Sequence, residues 1–135
     1  VDRELKNIYF LGFIPNSELP LVQAACDVLL MPYQASVSAS SGGDIARYLS
    51  PMKLFEYMAS QRAILSSNLP VLQEILNNEN AILLPSNDVQ AWSKALTRLQ
   101  SDQELTHLLA RKARQDVFQY TWHARANRIL EGITL

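Results

Sequence analysis

The chain has 135 residues, of which 48% are hydrophobic and 19% charged, so it is long enough for one packed core and too short for two ordinary domains. Lysine and arginine total 12 and aspartate and glutamate 13, which gives a formal net charge of -1. This balance excludes a long-range field that would draw the chain onto nucleic acid or an anionic membrane. The sequence therefore predicts a single domain over residues 1–135 and no nucleic-acid partner.

Two short apolar runs near the start of the chain predict β-strands that are covered on both faces. They lie at Ile8–Leu11 and Val28–Met31, and neither alternates with polar residues, as is typical of parallel sheets. Asn16 or Ser17 can cap a helix between them. Strand, helix and strand in this order predict a βαβ unit.

The same alternation continues in the middle of the chain. A helix at Ser50–Ser60 precedes a strand at Ala63–Leu65, and a shorter helix at about Val71–Leu76 precedes a strand at Ala81–Leu84. The segment Gln34–Tyr48 is rich in serine and alanine, and we interpret it as a mobile loop over a site. The sequence therefore predicts an α/β fold with a parallel sheet of four short strands.

Consecutive helices are predicted for the last third of the chain. One begins at Asp88, a second opens on the capping-box pattern of Ser101 with Glu104, and a third follows Thr121. Five basic residues alternate there with apolar positions, as on a solvated face with acidic partners nearby: Arg111, Lys112, Arg114, Arg125 and Arg128. We interpret them as surface residues and not as a nucleic-acid site.

Neither a metal site nor a membrane span is predicted. His107 and His123 lie on amphipathic helices without Cys, Asp or Glu at metal-ligand spacing, and no run of about eighteen apolar residues exists. Cys26 is the single cysteine and lies in an apolar segment, where a buried thiol fits a reducing compartment. We therefore expect a cytoplasmic protein without a metal.

The start of the central helix is the most informative feature of the sequence. Ser50 is a good N-cap, and Pro51 suits the first helical position, where its missing N–H costs nothing. Open amides and the positive end of the helix dipole then face the preceding loop, while Lys53 and Glu56 share one flank. An anion and a polyol can both be held there. Taken alone, Lys53 and Glu56 are more often a solvated ion pair.

Three segments, taken together, resemble a known protein family. They read IYFLGFIP at 8–15, AACDVLLMPY at 24–33 and SPMKLFEYMA at 50–59, and SSNLP at 66–70 follows in the same order. This pattern resembles the C-terminal, donor-binding domain of retaining glycosyltransferases with the GT-B architecture, the glycosyl transferases group 1. The resemblance implies a Rossmann-like three-layer domain, one half of a GT-B architecture, that ends in consecutive helices. It further implies that the N-terminal acceptor domain and the start of this domain are absent from the chain.

The resemblance also implies a donor-binding site at the central helix. Glu56 matches the glutamate that holds the nucleotide ribose, a role that suits a carboxylate because it accepts from two adjacent hydroxyls. The backbone amides that follow the Ser50 cap match those that contact the diphosphate of the donor, since unpaired amides at a helix N-terminus bind anions. These amides belong to Met52, Lys53 and Leu54.

Two further positions complete the comparison with the family pattern. Ile14 matches a position whose main chain contacts the nucleotide base in relatives. Many members carry two glutamates eight positions apart, the first of which contacts the transferred sugar, and that position is Tyr48 here. Asp44 or the Tyr48 hydroxyl are the open alternatives for this contact, and no catalytic residue is assigned.

The activity that the resemblance implies is transfer of a hexose from a nucleoside diphosphate sugar to a glycan or lipid acceptor, with retention of anomeric configuration. The donor is a substrate, and no cofactor is implied. Polysaccharide biosynthesis is the implied setting, and peripheral membrane association stays open for the full-length protein only. The chain alone is expected to be inactive, because the acceptor domain must close over the donor.

Two other functions stay open at this point. A nucleotide-sugar 2-epimerase shares the two-domain architecture, but it normally uses acidic residues and histidines around its sugar site, and this chain supplies few of them. A non-catalytic nucleotide-binding module is favoured by the absence of the first glutamate, at Tyr48.

Overall fold

A computed structural model of the protein describes residues 6–34 and 52–132. Most of the predicted loop at Gln34–Tyr48 lies outside the described residues. The same is true of Tyr48, Ser50 and Pro51, which the sequence predictions named. In chain order the elements are α1 (Leu19–Ala24), β1 (Val28–Met31), α2 (Met52–Ala59), β2 (Ala63–Ser67), α3 (Pro70–Gln73), β3 (Ile82–Leu84), α4 (Val89–Ser101), α5 (Gln103–Asp116), a 3₁₀ helix (Val117–Tyr120) and α6 (Trp122–Glu131).

The strands β1, β2 and β3 pair in parallel in this order. Val28 pairs with Ala63, and Leu65 pairs with Ile82. All five residues of β2 are buried, because the central strand of the sheet is covered on both faces. The parallel α/β fold predicted from the sequence is confirmed.

Apolar side chains pack against both faces of the sheet. Successive residues of a strand point to opposite faces, so Ile64 joins a cluster with Met58 of α2, while Leu65 joins a second cluster with Leu99 of α4. All four of these side chains are at most 1% exposed. The sheet is therefore the middle of three layers.

Helix α5 contributes to both of these clusters. Ala113 belongs to the cluster under α2 and α3, whereas Leu109 belongs to the cluster under α4. Its Arg114 Nη1 donates to the Ala59 carbonyl oxygen at 3.0 Å, at the C-terminus of α2, where a cation also interacts favourably with the helix dipole. This helix therefore connects the two layers.

Two of the predicted helix starts are confirmed. Asp88 Oδ1 accepts from the Ala91 amide at 3.0 Å at the start of α4. Thr121 Oγ1 accepts from the Ala124 amide at 3.2 Å at the start of α6. Both side chains satisfy an amide that has no acceptor within its helix.

The capping box predicted at Ser101 is wrong. Ser101 is the last residue of α4, and its hydroxyl donates back to the Arg98 carbonyl oxygen at 3.1 Å. Asp102 is the N-cap of α5, with Oδ1 accepting from the Leu105 amide at 2.9 Å. The one residue between α4 and α5 is thus an aspartate, a cap as good as serine, and it leaves Ser101 free to extend α4.

The segment before α1 departs most from the prediction. Residues 8–11 form no strand, and Phe10 in this run is 95% exposed. A strand needs a neighbouring backbone to take its hydrogen bonds, and among the described residues β1 pairs with β2 alone. The cap of α1 is Glu18, without a side-chain hydrogen bond, so the predicted cap at Asn16 or Ser17 is also wrong.

A buried amide connects α5 to the turn before β3. Asn80 is 1% exposed, and its Nδ2 donates to Asp116 Oδ2 at 2.9 Å and to the Ile75 carbonyl oxygen at 3.2 Å. Its Oδ1 accepts from the Asn77 amide at 2.8 Å. Lys112 Nζ donates to Asp116 Oδ1 at 2.6 Å. Burial raises the pKa of Asp116, but the hydrogen bonds from Lys112 and Asn80 outweigh it and hold this pKa below its ordinary value of 3.8.

We expect this network to make stability depend on pH at the two extremes. The lowered pKa of Asp116 stabilises the fold above pH 3.8, and this contribution is lost as the pH falls through the folded-state pKa. The Lys112 pKa is raised, chiefly by the hydrogen bond to Asp116, so its contribution is present below pH 10.5 and is lost as the pH rises through the folded-state pKa.

Urea unfolding of the protein and of Asp116→Asn checks this pH dependence. The difference in unfolding free energy between them should be constant from about pH 5 to about pH 9 and should shrink below pH 3.8. A difference that stays constant into strong acid would contradict the assigned pKa direction.

Candidate functional site

The carboxyl ends of the three parallel strands lie at one edge of the sheet, at Met31, Ser67 and Leu84. Helix α2 carries the chain back to the start of β2, so its first residue, Met52, lies toward this same edge. Ligands of open parallel α/β sheets bind outside the carboxyl ends of the strands. The candidate site is therefore the region around the first two turns of α2.

Helix α2 divides its side chains between the core and the surface. Leu54 and Met58, four residues apart, are 1% and 0% exposed and pack in the cluster beneath the helix. Lys53 and Glu56 are exposed on the outer side, and Met52 is 73% exposed. Packing of the apolar side therefore holds the two charged residues outward at a fixed place on the fold.

Lys53 and Glu56 do not form the solvated ion pair that their spacing alone favours. Among the described residues, the Lys53 ammonium has no carboxylate oxygen within 4.0 Å, and neither side chain has a hydrogen-bond partner. The backbone carbonyl oxygen of Glu56 accepts from the Ser60 hydroxyl at 2.8 Å and from the Ser60 amide at 3.0 Å, and neither bond involves the carboxylate. Both charged groups are thus available to a ligand.

Glu56 lines a groove between α1 and α2 with a volume of about 440 Å³. Asn16, just before α1, lies in the opposite wall and supplies the groove's second polar group near the carboxyl edge. The other end is closed by a hydrogen bond of 2.8 Å from the Ser60 hydroxyl to Gln23 Oε1. The groove is thus a largely apolar cleft with a carboxylate in its wall and polar groups at its two ends.

Ile14 lies close to the mouth of this groove. It is half-buried in an irregular segment, two residues before Asn16, and two residues span at most about 7 Å. Met52, Lys53 and Leu54 occupy the first turn of α2, where amides lack acceptors within the helix. The described members of the predicted site are therefore on neighbouring elements, while Ser50, Asp44 and Tyr48 lie outside the described residues.

Two half-buried tyrosines near the site were not predicted as site residues from the sequence. Tyr33 follows β1 at the carboxyl edge, and burial raises its pKa. The pKa of Tyr57 is raised chiefly by burial, and further by the nearby Tyr33, Cys26 and Glu56. Both hydroxyls are therefore protonated at neutral pH and able to donate hydrogen bonds. The position of Tyr33 directly after a parallel strand was the signal that could have identified it.

Within residues 6–34 and 52–132, no three His, Cys, Asp or Glu side chains come together in a way that could hold a metal ion. The helices in the same ranges include none that is long and apolar enough to cross a membrane.

A parallel sheet between two helical layers, with a cleft at the carboxyl edge, defines a Rossmann-like α/β domain. The chain belongs to the glycosyl transferases group 1, because the model of that family matches residues 1–102. The family and the fold predicted from the sequence are both confirmed.

Individual relatives agree with this assignment. The chain is 27% identical over 125 residues to D-inositol 3-phosphate glycosyltransferase of Corynebacterium urealyticum, across 92% of this chain and 27% of the relative. Sucrose-phosphate synthase from Thermosynechococcus elongatus superposes with a TM-score of 0.74 and 22% identity, over 93% of this chain and 29% of that one. HepE (Alr3699) from Anabaena, in complex with UDP, superposes with a TM-score of 0.68 and 16% identity, over 87% and 30%.

At these identities the two solved structures show the fold alone, which is that of GT-B glycosyltransferases. The chain spans less than a third of the length of each of these relatives.

Proposed function

We propose that the chain is the donor-binding part of a glycosyltransferase that moves a hexose from a nucleoside diphosphate sugar to a glycan or lipid acceptor with retention. The nucleotide lies at the carboxyl edge of the sheet, in the mouth of the groove between α1 and α2. The base contacts the main chain near Ile14, the ribose lies against Glu56, and the diphosphate meets the first turn of α2.

The observation that carries this proposal is the free carboxylate of Glu56 in the wall of the groove. Among the described residues it has neither a hydrogen-bond nor an ion-pair partner, so no group in residues 6–34 or 52–132 competes for its oxygens. A carboxylate accepts two hydrogen bonds from adjacent hydroxyls, and such charge-assisted bonds are about twice as strong as neutral ones. A ribose is the part of a nucleotide that offers this pair of hydroxyls.

Lys53 and the amides of the first turn of α2 supply the complementary positive field. The ammonium and the helix dipole both favour an anion at this end of α2, and the net charge of -1 on the whole chain makes this attraction local. When the bond to the transferred sugar breaks, negative charge develops on the leaving diphosphate, and these groups stabilise it. This is the chemical contribution that we assign to the chain.

The full-length protein, in our proposal, adds an acceptor domain that closes over the donor and excludes water. The lengths of the relatives support this, because the chain spans 27% to 30% of them. HepE is described in complex with UDP, which supports a nucleoside diphosphate as the ligand to test first. A cytoplasmic location and a role in polysaccharide biosynthesis are also proposals.

Titration calorimetry with UDP tests the donor site. Glu56→Ala should weaken UDP binding about tenfold to a hundredfold, because a hydrogen bond to a charged group contributes about 1.5–3 kcal/mol. Glu104→Ala is the matched control, since Glu104 is an exposed helical glutamate on α5, outside the groove, and UDP affinity should not change. Equal affinity of the protein and Glu56→Ala would remove Glu56 from the site.

Incubation of the full-length protein with a panel of nucleotide sugars separates transfer from the alternatives. Transfer releases the nucleoside diphosphate, a 2-epimerase yields an epimerised nucleotide sugar, and a binding module yields neither product. Release of nucleotide that depends on an added acceptor is the result we expect.

A further inference from the structure

A second cavity lies at the opposite edge of the sheet, where α2 turns into β2. Arg62 immediately precedes Ala63, the first residue of β2, so this cavity is at the amino edge, away from the mouth of the donor groove. Its volume is about 480 Å³. It is lined by Ser60, Gln61, Arg62, His107, Ala110 and Arg111.

The lining of this basic cavity is rich in cationic groups. It contains two arginines and a histidine and no acidic residue, although the formal net charge of the chain is -1. Asp27 lies in an adjoining cavity together with Arg62 and His107. Among the described residues, its carboxylate has no nitrogen of these side chains within 4.0 Å. The positive charge is therefore not neutralised by an ion pair.

Arg62 is fixed in the wall with most of its donors unused. Its Nη2 donates to the Ala24 carbonyl oxygen, and its Nε is buried without a hydrogen-bond partner. A guanidinium has five N–H donors, and only this one hydrogen bond is made to a described residue. The remaining N–H groups of the two terminal nitrogens make no hydrogen bond to a described residue, so they are the donors that Arg62 can offer to an anion.

His107 and Arg111 contribute the second wall from α5. They are four residues apart and so lie on the same face of the helix, and neither side chain has a hydrogen-bond or ion-pair partner among the described residues. The neighbouring Lys112 differs, because its ammonium pairs with Asp116 and Glu79. The sequence predicted acidic partners near the basic residues of the C-terminal helices. Among the described residues, Lys112 has such partners and Arg111 has none.

We propose that this basic cavity binds a small phosphate-type dianion, either inorganic phosphate or a phosphomonoester. Two guanidinium groups can each offer paired N–H donors to phosphate oxygens, which is the arrangement that favours arginine at phosphate sites. The anion removes the repulsion between Arg62 and Arg111 and supplies acceptors to the unused donors of Arg62. The site lies at the amino edge of the sheet, and Ser60 is the residue that it shares with the closed end of the donor groove.

Titration calorimetry with inorganic phosphate, and separately with glycerol 3-phosphate, tests the proposal. Both titrations are run with UDP at saturation and at a constant ionic strength that is set with chloride. Arg111→Gln should weaken binding about tenfold, the effect of losing one charge-assisted contact. Arg98→Gln, at an exposed arginine of α4 outside the cavity, should leave it unchanged. Arg62→Lys, which keeps the charge but loses the paired donors, should also weaken it.

Tighter binding of glycerol 3-phosphate identifies a phosphomonoester as the ligand, and tighter binding of phosphate identifies the free anion. Absence of binding for both, or equal affinity in Arg111→Gln and the protein, overturns the proposal. Loss of phosphate binding in Lys53→Ala also overturns it, because the anion would then lie at the first turn of α2. If UDP does not bind, the phosphate titrations still report on the basic cavity. Failure of the donor-site proposal is therefore distinguishable from failure of the proposal for the basic cavity.

Discussion

Met58→Ala is expected to lower the free energy of unfolding by about 2–5 kcal/mol, the range found for large-to-small changes in a packed core. Met58 is 0% exposed and packs with Ile64 and Leu54 in the cluster between α2 and the sheet. Removing its side chain leaves a cavity that the neighbouring strand and helix fill only in part. Equilibrium unfolding in urea measures the effect.

Met52→Ala is the matched control for this prediction. It makes the same chemical change in the same helix, but Met52 is 73% exposed, so the unfolding free energy should change by no more than about 0.5 kcal/mol. Similar decreases in unfolding free energy for the two variants would mean that Met58 does not pack α2 against the sheet. The position of Glu56 in the groove would then lose its structural basis.

Asn80→Ala is expected to lower the free energy of unfolding by about 2–4 kcal/mol, because it removes three hydrogen bonds at a site that is 1% exposed. The change leaves the Asn77 amide without its acceptor and Asp116 with Lys112 as its remaining partner in the network. Urea unfolding again measures the loss.

Asn78→Ala provides the control for Asn80, since Asn78 is exposed in the same turn and should tolerate the change within about 0.5 kcal/mol. A double-mutant cycle between Asn80→Ala and Asp116→Ala should give a coupling energy above about 0.5 kcal/mol. Additive effects of the two changes would show that the contact at 2.9 Å contributes nothing to stability.

The parallel strands were predictable because their sequence signal is local, but the predicted cover on both faces is wrong for β1, where Leu30 is 41% exposed. Val28–Met31 and Ala63–Leu65 are continuous apolar runs, and in the structure both are strands of one parallel sheet. The run at Ile8–Leu11 has the same local signal and forms no strand, because pairing depends on a neighbouring backbone that a strand's own sequence does not encode. Burial of Asn80 was likewise not predictable, since its partner Asp116 is 36 residues away.

The candidate site was predictable where it depends on helix periodicity and on family resemblance. The four-residue spacing of Leu54 and Met58 places both on the inner face of α2, and Glu56 then faces outward. The groove wall formed by Asn16 was not predicted, because it depends on how α1 lies against α2. The basic cavity was missed for a similar reason, since Arg62 and Arg111 belong to elements far apart in the sequence.

The position of α5 determines which parts of the molecule unfold together. One helix supplies Leu109 to the layer on one face of the sheet and Ala113 to the layer on the other. Because neither layer can detach without exposing that helix, the two faces form one cooperative unit with a shared opening free energy. Helix α6, which has no buried residue, lies outside that unit and can fray while the rest stays intact.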